Sequence, residues 1–580
     1  MHWQLRSIDE RMVSNLATAL RVRRPTARCL VARGVTEPSQ AQGFIDPRLA
    51  ALRPPAGLAG LPHAVERVAD AVCRGERIGV FGDYDVDGVT TAALLASFLR
   101  AAGAEVACAV ARRDAGYGFT VAAAGDFAAR GCGLVITGDC GTSDLEAIGA
   151  ASAAGVDVIV VDHHTVPSAE VAHPARSLVN PFRADSTFPF RGMASVGLGF
   201  YLAASVRTEL RERRWFANRP EPDVRELLDL VALGTIADLV PLSAENRILT
   251  ALGLRRLQAR ARPGIAALLA GSGVELEREV DARMVAWRLA PRLNAPGRLG
   301  AAEPALALLL ADADTAAERA AVCEQANTDR RSVQERVMTE AIAALGEADP
   351  GPAIVLAGEG WPAGVVGIVA AKLVDKFQRP AFVIGVDPAT GIGRGSARTI
   401  AGINLYDALA EAASCLDRFG GHAAAAGFTV QRDRVAALSE ALGGAVARAL
   451  SAGEDARVGS GSGPVSTVRE LDAEVALGEI DERLAEELAG LGPFGQHNPA
   501  PQLVTRAAKV TQVRRVGDGS HLKLTVEDDR RDVRSAIGFG LGERPIEVGA
   551  RVDLAFVPTI STWQGRRSAE LDVADLAIVS

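Results

Sequence analysis

The sequence predicts an α/β protein of several domains that ends in a small β-barrel, and three observations carry the prediction. Between about residues 60 and 291, short apolar runs bounded by Gly alternate with Ala-rich helical stretches. The alternation resumes at Ala353-Ile354-Val355-Leu356 and runs to about Leu450. From Gln502 onward it gives way to five short alternating segments.

Taken in order, residues 1–59 read as an N-terminal helical segment. Residues 60–300 form the first α/β domain, with strands at Arg77–Phe81, Gly133–Thr137 and Val156–Val161 in a parallel, doubly wound sheet. Residues 301–350 hold a long connecting helix from Glu303 to about Leu345, rich in Ala, Glu and Arg and without Gly until Gly346. A second α/β domain occupies 351–450. Residues 451–464, with four Gly and three Ser, read as a flexible linker. In 465–580 a helical stretch (Ile480–Leu488) precedes strands at Lys509–Val516, His521–Glu527, Val533–Phe539, Arg551–Pro558 and Arg567–Val573. Five short strands at this spacing suit an OB-fold. No internal repeat is visible.

Composition narrows the function. No run approaches the roughly eighteen apolar residues of a membrane span, and the N-terminus lacks a signal-peptide layout. The seven cysteines show no C-x-x-C pairing, which points to buried thiols in a reducing cytoplasm and away from disulfides or a zinc site. The net charge of −8 does not announce a nucleic-acid partner. Nearly all the basic residues are Arg, the better bidentate phosphate ligand. A GC-rich genome produces the same bias, so it carries no weight alone.

The chemistry is concentrated at strand ends. Gly82-Asp83-Tyr84-Asp85-Val86-Asp87-Gly88 follows the first strand, Thr137-Gly138-Asp139-Cys140-Gly141 closes the second, and Asp162-His163-His164 closes the third. In open α/β sheets ligands bind beyond the carboxyl ends of the strands, so these groups converge. Asp238 interrupts the apolar helical stretch Leu233–Val240 and is a fourth candidate. Carboxylates mixed with imidazole suit Mg²⁺ or Mn²⁺, and two such ions can clamp the attacking and leaving oxygens of a phosphate ester. An EF-hand also begins Asp-x-Asp-x-Asp-Gly, but it requires Glu at the twelfth position, which is Leu94 here. Asp139 alone reads equally as a turn residue and Asp238 alone as a helix end; the four segments together are the signal.

These motifs resemble those of RecJ-type exonucleases in the DHH phosphoesterase superfamily, and the resemblance runs through nearly all of residues 40–580. Asp162-His163-His164 matches the motif that names the superfamily. Ser195–Phe200 and Arg292–Arg298 match RecJ-type stretches, while Trp361–Gly367 and Gly420-Gly421-His422 resemble the DHH-associated domain. The resemblance implies a DHH catalytic domain, a DHH-associated domain and an OB-fold. It also implies a 5′→3′ exonuclease of single-stranded DNA in repair and recombination, with two Mn²⁺ or Mg²⁺ ions per site. The implied ligands are Asp85, Asp87, Asp139, His163 and Asp238, with Asp83 in or beside the shell and His164 on the scissile phosphate. Arg298, Ser396 and Arg398 would hold the 5′-phosphate, and Arg112 and Tyr117 would line its path. The implied partners are single-stranded DNA, a helicase and a single-strand-binding protein, around a cytoplasmic monomer with no membrane contact.

From the residues themselves, Gly391-Ile392-Gly393-Arg394-Gly395-Ser396-Ala397-Arg398 interleaves Gly with Arg394, Ser396 and Arg398, which suits phosphate binding, although Gly-rich turns often bind nothing. On the barrel, Trp563 near a turn is the stacking candidate. Two other functions stay open at this point. A phosphodiesterase of short oligonucleotides or cyclic dinucleotides would have little use for a C-terminal barrel. An inactive DNA-binding scaffold would have shed carboxylates that are all present.

Overall fold

Strand β1 (His2–Leu5) opens the chain, and the helices Glu10–Leu20, Arg24–Ala32 and Pro38–Ile45 come after it. The structure is a computed structural model that describes residues 2–113, 116, 118–167, 172–275, 278–346, 349–458, 468–563 and 566–579. The Gly-bounded apolar runs become β2 (Ile78–Gly82), β3 (Val106–Val110), β4 (Leu134–Gly138), β5 (Asp157–Val161) and β6 (Ser177–Val179). They lie in the order β3-β2-β4-β5-β6, all parallel. Helices cover both faces. Ile78, Val80, Leu134 and Ile136 pack under Val86–Ala101 and Ser195–Glu212, whereas Phe81, Val135 and Val158 pack against Val121–Ala129 and Leu145–Ala153. Burial on both sides is why these strands read as continuous apolar runs. The crossovers diverge between β2 and β4, which makes their carboxyl ends the switch point of the sheet.

The connecting helix is interrupted. The sequence reading carries it from Glu303 to Leu345, but the chain forms Glu303–Leu309, breaks, and restarts as Ala316–Leu345. Asp312 causes the break: its carboxylate accepts from Thr315 N at 3.0 Å and Thr315 Oγ1 at 2.7 Å, offering the backbone a local alternative to the helix.

The second domain is the sheet β10-β11-β9-β8-β7, built from β7 (Ile354–Glu359), β8 (Ala381–Val386), β9 (Ile392–Arg398), β10 (Arg418–Gly421) and β11 (Ala425–Gln431). Only β7 and β8 run parallel. The helix Val435–Val458 enters the stretch expected to be linker, because Ala, Glu and Arg there let an existing helix propagate. The rest of 451–464 lies outside the described residues.

The last domain comprises β12 (Val468–Leu471), β13 (Ala473–Glu474), β14 (Leu503–Val516), β15 (His521–Glu527), β16 (Val533–Gly538), β17 (Arg551–Trp563) and β18 (Arg566–Val579). β14 pairs with both β15 and β17, so β14-β15-β16-β18-β17 closes into a five-stranded barrel. The N-terminal segment is not purely helical and does not stand alone. β1 runs parallel to β12, with His2 opposite Val468 and Leu5 opposite Leu471. Val13, Leu16 and Leu30 share one core with Leu484, Leu503 and Leu554. Among the described residues no helix is long and apolar enough to cross a membrane.

Candidate active site

The first acidic motif turns directly from β2 into the helix Val86–Ala101. Asp85 caps that helix, its carboxylate accepting from Gly88 N at 3.0 Å, and Asp87 occupies the first turn. The turn closes only because Gly82 and Gly88 lack side chains. A Cβ on Gly88 would lie 2.4 Å from Asp83 N, and one on Gly82 would lie 2.3 Å from Gly88 O. Asp83 and Asp87 are both buried at the strand end. Asp139 follows β4 at φ +63, a left-handed conformation that non-Gly residues usually adopt where the surroundings enforce it. Here Ser195 Oγ donates to Asp139 Oδ1 at 3.1 Å. The backbone N–H groups of Ser195 and Val196 donate to Asp87 at 2.7 and 3.0 Å, so the N-terminus of Ser195–Glu212 points at the cluster.

His163 Nε2 lies 3.3 Å from Asp139, 3.4 Å from Asp238 and 4.0 Å from Asp87. Potential ligand atoms therefore fall into tight groups: Asp83, Asp85 and Asp139; Asp87, His163 and Asp238; and Asp139, His163 and His164. Asp139 is shared between the first and last groups, and His163 between the second and last. Every sequence-predicted metal ligand is in this one place.

The electrostatics ask for cations. Burial first, then the Asp85 charge, pushes Asp83, Asp87 and Asp139 above the usual carboxylate range, Asp87 to about 7. Burial, Asp87 and Asp85 carry Asp238 to about 9. Asp238 also caps the C-terminal end of Leu228–Ala237, where the helix dipole disfavours negative charge. Asp83 Oδ1 is buried without a hydrogen-bond partner among the described residues. Burial and the neighbouring His164 lower His163 to about 4, leaving a neutral imidazole free to ligate. Burial opposes the charge on His164 too, but its 2.7 Å bond to Asp162 prevails and holds the ring at about 9. Oxygen donors plus one neutral imidazole fit Mn²⁺, and the carboxylates alone fit Mg²⁺.

A basic wall stands beside the cluster. Arg298, on the helix Ala290–Leu299, donates to Gly364 O at 3.1 Å, at the start of the helix Ala363–Phe377. Gly364 permits the approach, since a Cβ there would lie 2.0 Å from Arg298 O. Burial, then Arg113 and Arg330, lowers Arg298 to about 10, and the Asp85 charge also reaches it. Arg398 donates to Ser396 Oγ at 3.1 Å, and Gly367 of the same helix packs on both residues. Arg298, Ser396 and Arg398 thus gather around one helix N-terminus. Arg394 alternates with them on β9 but is exposed, and His422 is exposed in the β10–β11 turn. Arg112 lies 4.0 Å from Glu303. Tyr117 and the side chain of Trp563 lie outside the described residues.

Models of the DHH family N-terminal domain, the DHHA1 domain and the RecJ OB domain match residues 77–235, 351–448 and 471–575. The single-stranded-DNA-specific exonuclease RecJ of Bacillus subtilis (strain 168) is 36% identical over 584 residues, spanning 100% of this chain and 71% of that protein. The one from Dickeya dadantii (strain 3937) is 35% identical over 602 residues, spanning 97% and 99%. The chain belongs to the RecJ family. A crystal structure of RecJ from Thermus thermophilus in complex with Mn²⁺ matches with TM-score 0.81 and 30% identity, covering 99% of this chain and 79% of that one.

Within this RecJ-family site, sequence reasoning marked Asp162 and Ser195 without their supporting roles and missed Arg113. Asp162 accepts from His163 N, His164 N and Thr142 N at 2.8, 3.2 and 3.1 Å and thereby fixes the loop of both histidines. Ser195 belongs to a stretch that the sequence marks without giving it a role. Arg113, adjacent to Arg112, stacks on Tyr84 at 3.9 Å and donates to Gly297 O at 2.9 Å. No spacing signals these contacts; they arise only in three dimensions.

Proposed function

We propose that the chain removes nucleotides from the 5′ end of single-stranded DNA by hydrolysing phosphodiester bonds, using two divalent ions, Mn²⁺ or Mg²⁺. The observation that carries this reading is the convergence of Asp83, Asp85, Asp87, Asp139, His163 and Asp238 on one buried spot at the sheet's switch point. Asp83, Asp85 and Asp139 would hold one ion, and Asp87, His163 and Asp238 the other. When bound, such ions supply charge neutralisation and a clamp on the attacking and leaving oxygens.

The chain's own groups do the rest. His164, protonated and oriented by Asp162, donates to the phosphate oxygens that gain charge. Arg298, Arg398, Ser396 and the N-terminus of Ala363–Phe377 bind a terminal phosphate monoester, whose extra charge favours an end over an internal diester. That pocket supports the 5′→3′ direction. Arg112 lines the path to it, and Arg394 and His422 extend the contact surface; Tyr117 and Trp563 remain candidates for the same path and for base stacking by the family resemblance. In this reading the protein is a cytoplasmic monomer serving DNA repair and recombination, supplied with strands by a helicase and a single-strand-binding protein.

The test is digestion of end-labelled single strands, with or without a 5′-phosphate, in Mn²⁺, Mg²⁺ or EDTA. A 5′ label should appear at once in mononucleotide, while a 3′ label shortens progressively and EDTA abolishes both. Release of the 3′ label first would overturn the polarity, and cleavage in EDTA would overturn the metal assignment.

A further inference from the structure

Trp287 is 74% exposed, on the five-residue π-helical turn Val285–Leu289 between Ala282–Met284 and Ala290–Leu299. A π-turn adds a residue to the helix and displaces side chains from its regular face, and such turns recur at functional sites. Other tryptophans are engaged: Trp3 donates to Asp575, Trp215 to Ala102 O, and the buried Trp361 to Glu340.

Trp287 borders a cavity of about 630 Å³ whose walls include Ile236, Leu239, Arg298, Arg330 and Phe494. Leu239 directly follows Asp238 and is 65% exposed, so the cavity opens beside the ligand cluster. Arg330 reaches it while bonded to two neutral amides, Asn327 at 2.7 Å and Gln334 at 2.8 Å, and those bonds leave its charge uncancelled. Apolar walls, an open indole and the guanidinium groups of Arg298 and Arg330 match one chemistry, a flat base joined to a phosphate.

We infer that Trp287 stacks on an unpaired base of the strand being degraded and is a substrate-positioning residue of this enzyme. The inference rests on the nuclease reading above and adds a residue that the sequence did not mark. Stacking is indifferent to base identity, so it grips any sequence and releases it after each step. Because the side chain is exposed, its removal leaves the core intact.

The experiment measures kcat and KM with Mn²⁺ for the full chain, Trp287→Ala and Trp287→Phe on 5′-phosphorylated strands carrying one abasic site at successive positions. Trp287→Ala should raise KM on the intact strand about tenfold or more, the scale of one lost base–aromatic stack, with kcat little changed. Trp287→Phe should retain most of the wild-type KM. At one position the abasic site should raise KM for the wild type and add nothing in Trp287→Ala, because both changes delete the same stack. An unchanged KM in Trp287→Ala, or losses that multiply at every position, would overturn the inference and leave the nuclease reading standing. A wild type that cuts no single strand would overturn both.

Discussion

Asp162 stands outside the ligand groups among the described residues, yet its Oδ1 sets the position of His163 and His164 and the charge of the second, while its Oδ2 accepts from Thr142 N. Burial would raise its own pKa, but the His164 hydrogen bond and the other donors hold it below the usual range. The same bond raises His164 to about 9, so His164 carries its proton at neutral pH and loses it as pH rises. If the proton is what steadies the developing phosphate charge, kcat declines on the alkaline side. In Asp162→Asn that limb should move to lower pH by about 1–3 units, the usual effect of losing an opposite charge in contact. A pH–kcat profile checks this, and an unmoved limb would assign the decline to another group. The candidate ligands make a blunter prediction. Asp139→Ala or Asp87→Ala should cut turnover by about a thousandfold, as loss of a group used chiefly in the transition state does, while single-strand affinity survives. Near-normal rates with Mn²⁺ would contradict the site. The six candidate ligands were legible because each is a polar residue at or near an abrupt end of an apolar run. Asp162 and Ser195 lay in marked stretches, but their roles were not legible, since their work is to hold other residues in place.

Elements supply what single residues cannot: a direction in which to read a strand. On β9 the side chains of Arg394, Ser396 and Arg398 alternate with Gly393, Gly395 and Ala397, and the two inner ones meet the N-terminus of Ala363–Phe377. That helix end, with Arg298 from the catalytic domain, makes a site whose charge suits a monoester. Arg398→Ala should lower kcat/KM about ten- to a hundredfold on 5′-phosphorylated strands, matching one lost charged hydrogen bond of roughly 1.5–3 kcal/mol. Strands ending in a 5′-hydroxyl already lack the contact and should lose much less. Equal losses on both would make Arg398 a general backbone contact and move the end-reading pocket elsewhere. Only the first strand was legible here, from the apolar run Ala353–Leu356; Ile392–Arg398 read as a Gly-rich turn because its interleaved Gly, Arg and Ser hide the strand period, yet it is β9. The break at Asp312 and the helical extension to Val458 were not legible either, because capping competition and propagation depend on margins too small for a composition rule.

At the scale of the whole molecule, the two ends of the chain make one body. β1 pairs with β12, and the first helices complete the barrel's core. Arg247 of the catalytic domain donates to both Phe44 O and Gly492 O at 2.8 and 2.7 Å, tying that body to the active-site domain. Nothing in the sequence revealed this, because pairing between opposite ends of a chain leaves no local periodicity. It changes how the barrel's role must be tested. Removing 465–580 would strip Val13, Leu16 and Leu30 of their core partners, so a loss of function would not isolate the barrel. The complementary cut is sharper: deletion of residues 1–48 leaves every barrel residue in the chain but removes part of its core. If the barrel grips DNA only as part of that joint body, the deletion should weaken binding to long single strands and flatten the dependence of affinity on salt, since fewer counterions are released. Short oligonucleotides, which need only the catalytic and DHH-associated domains, should still be cut. The checks are the slope of log Kd against log salt concentration for a long strand, and turnover on a short one. An unchanged slope with normal turnover would show that the barrel folds and binds without the N-terminal helices, and that their packing serves stability alone.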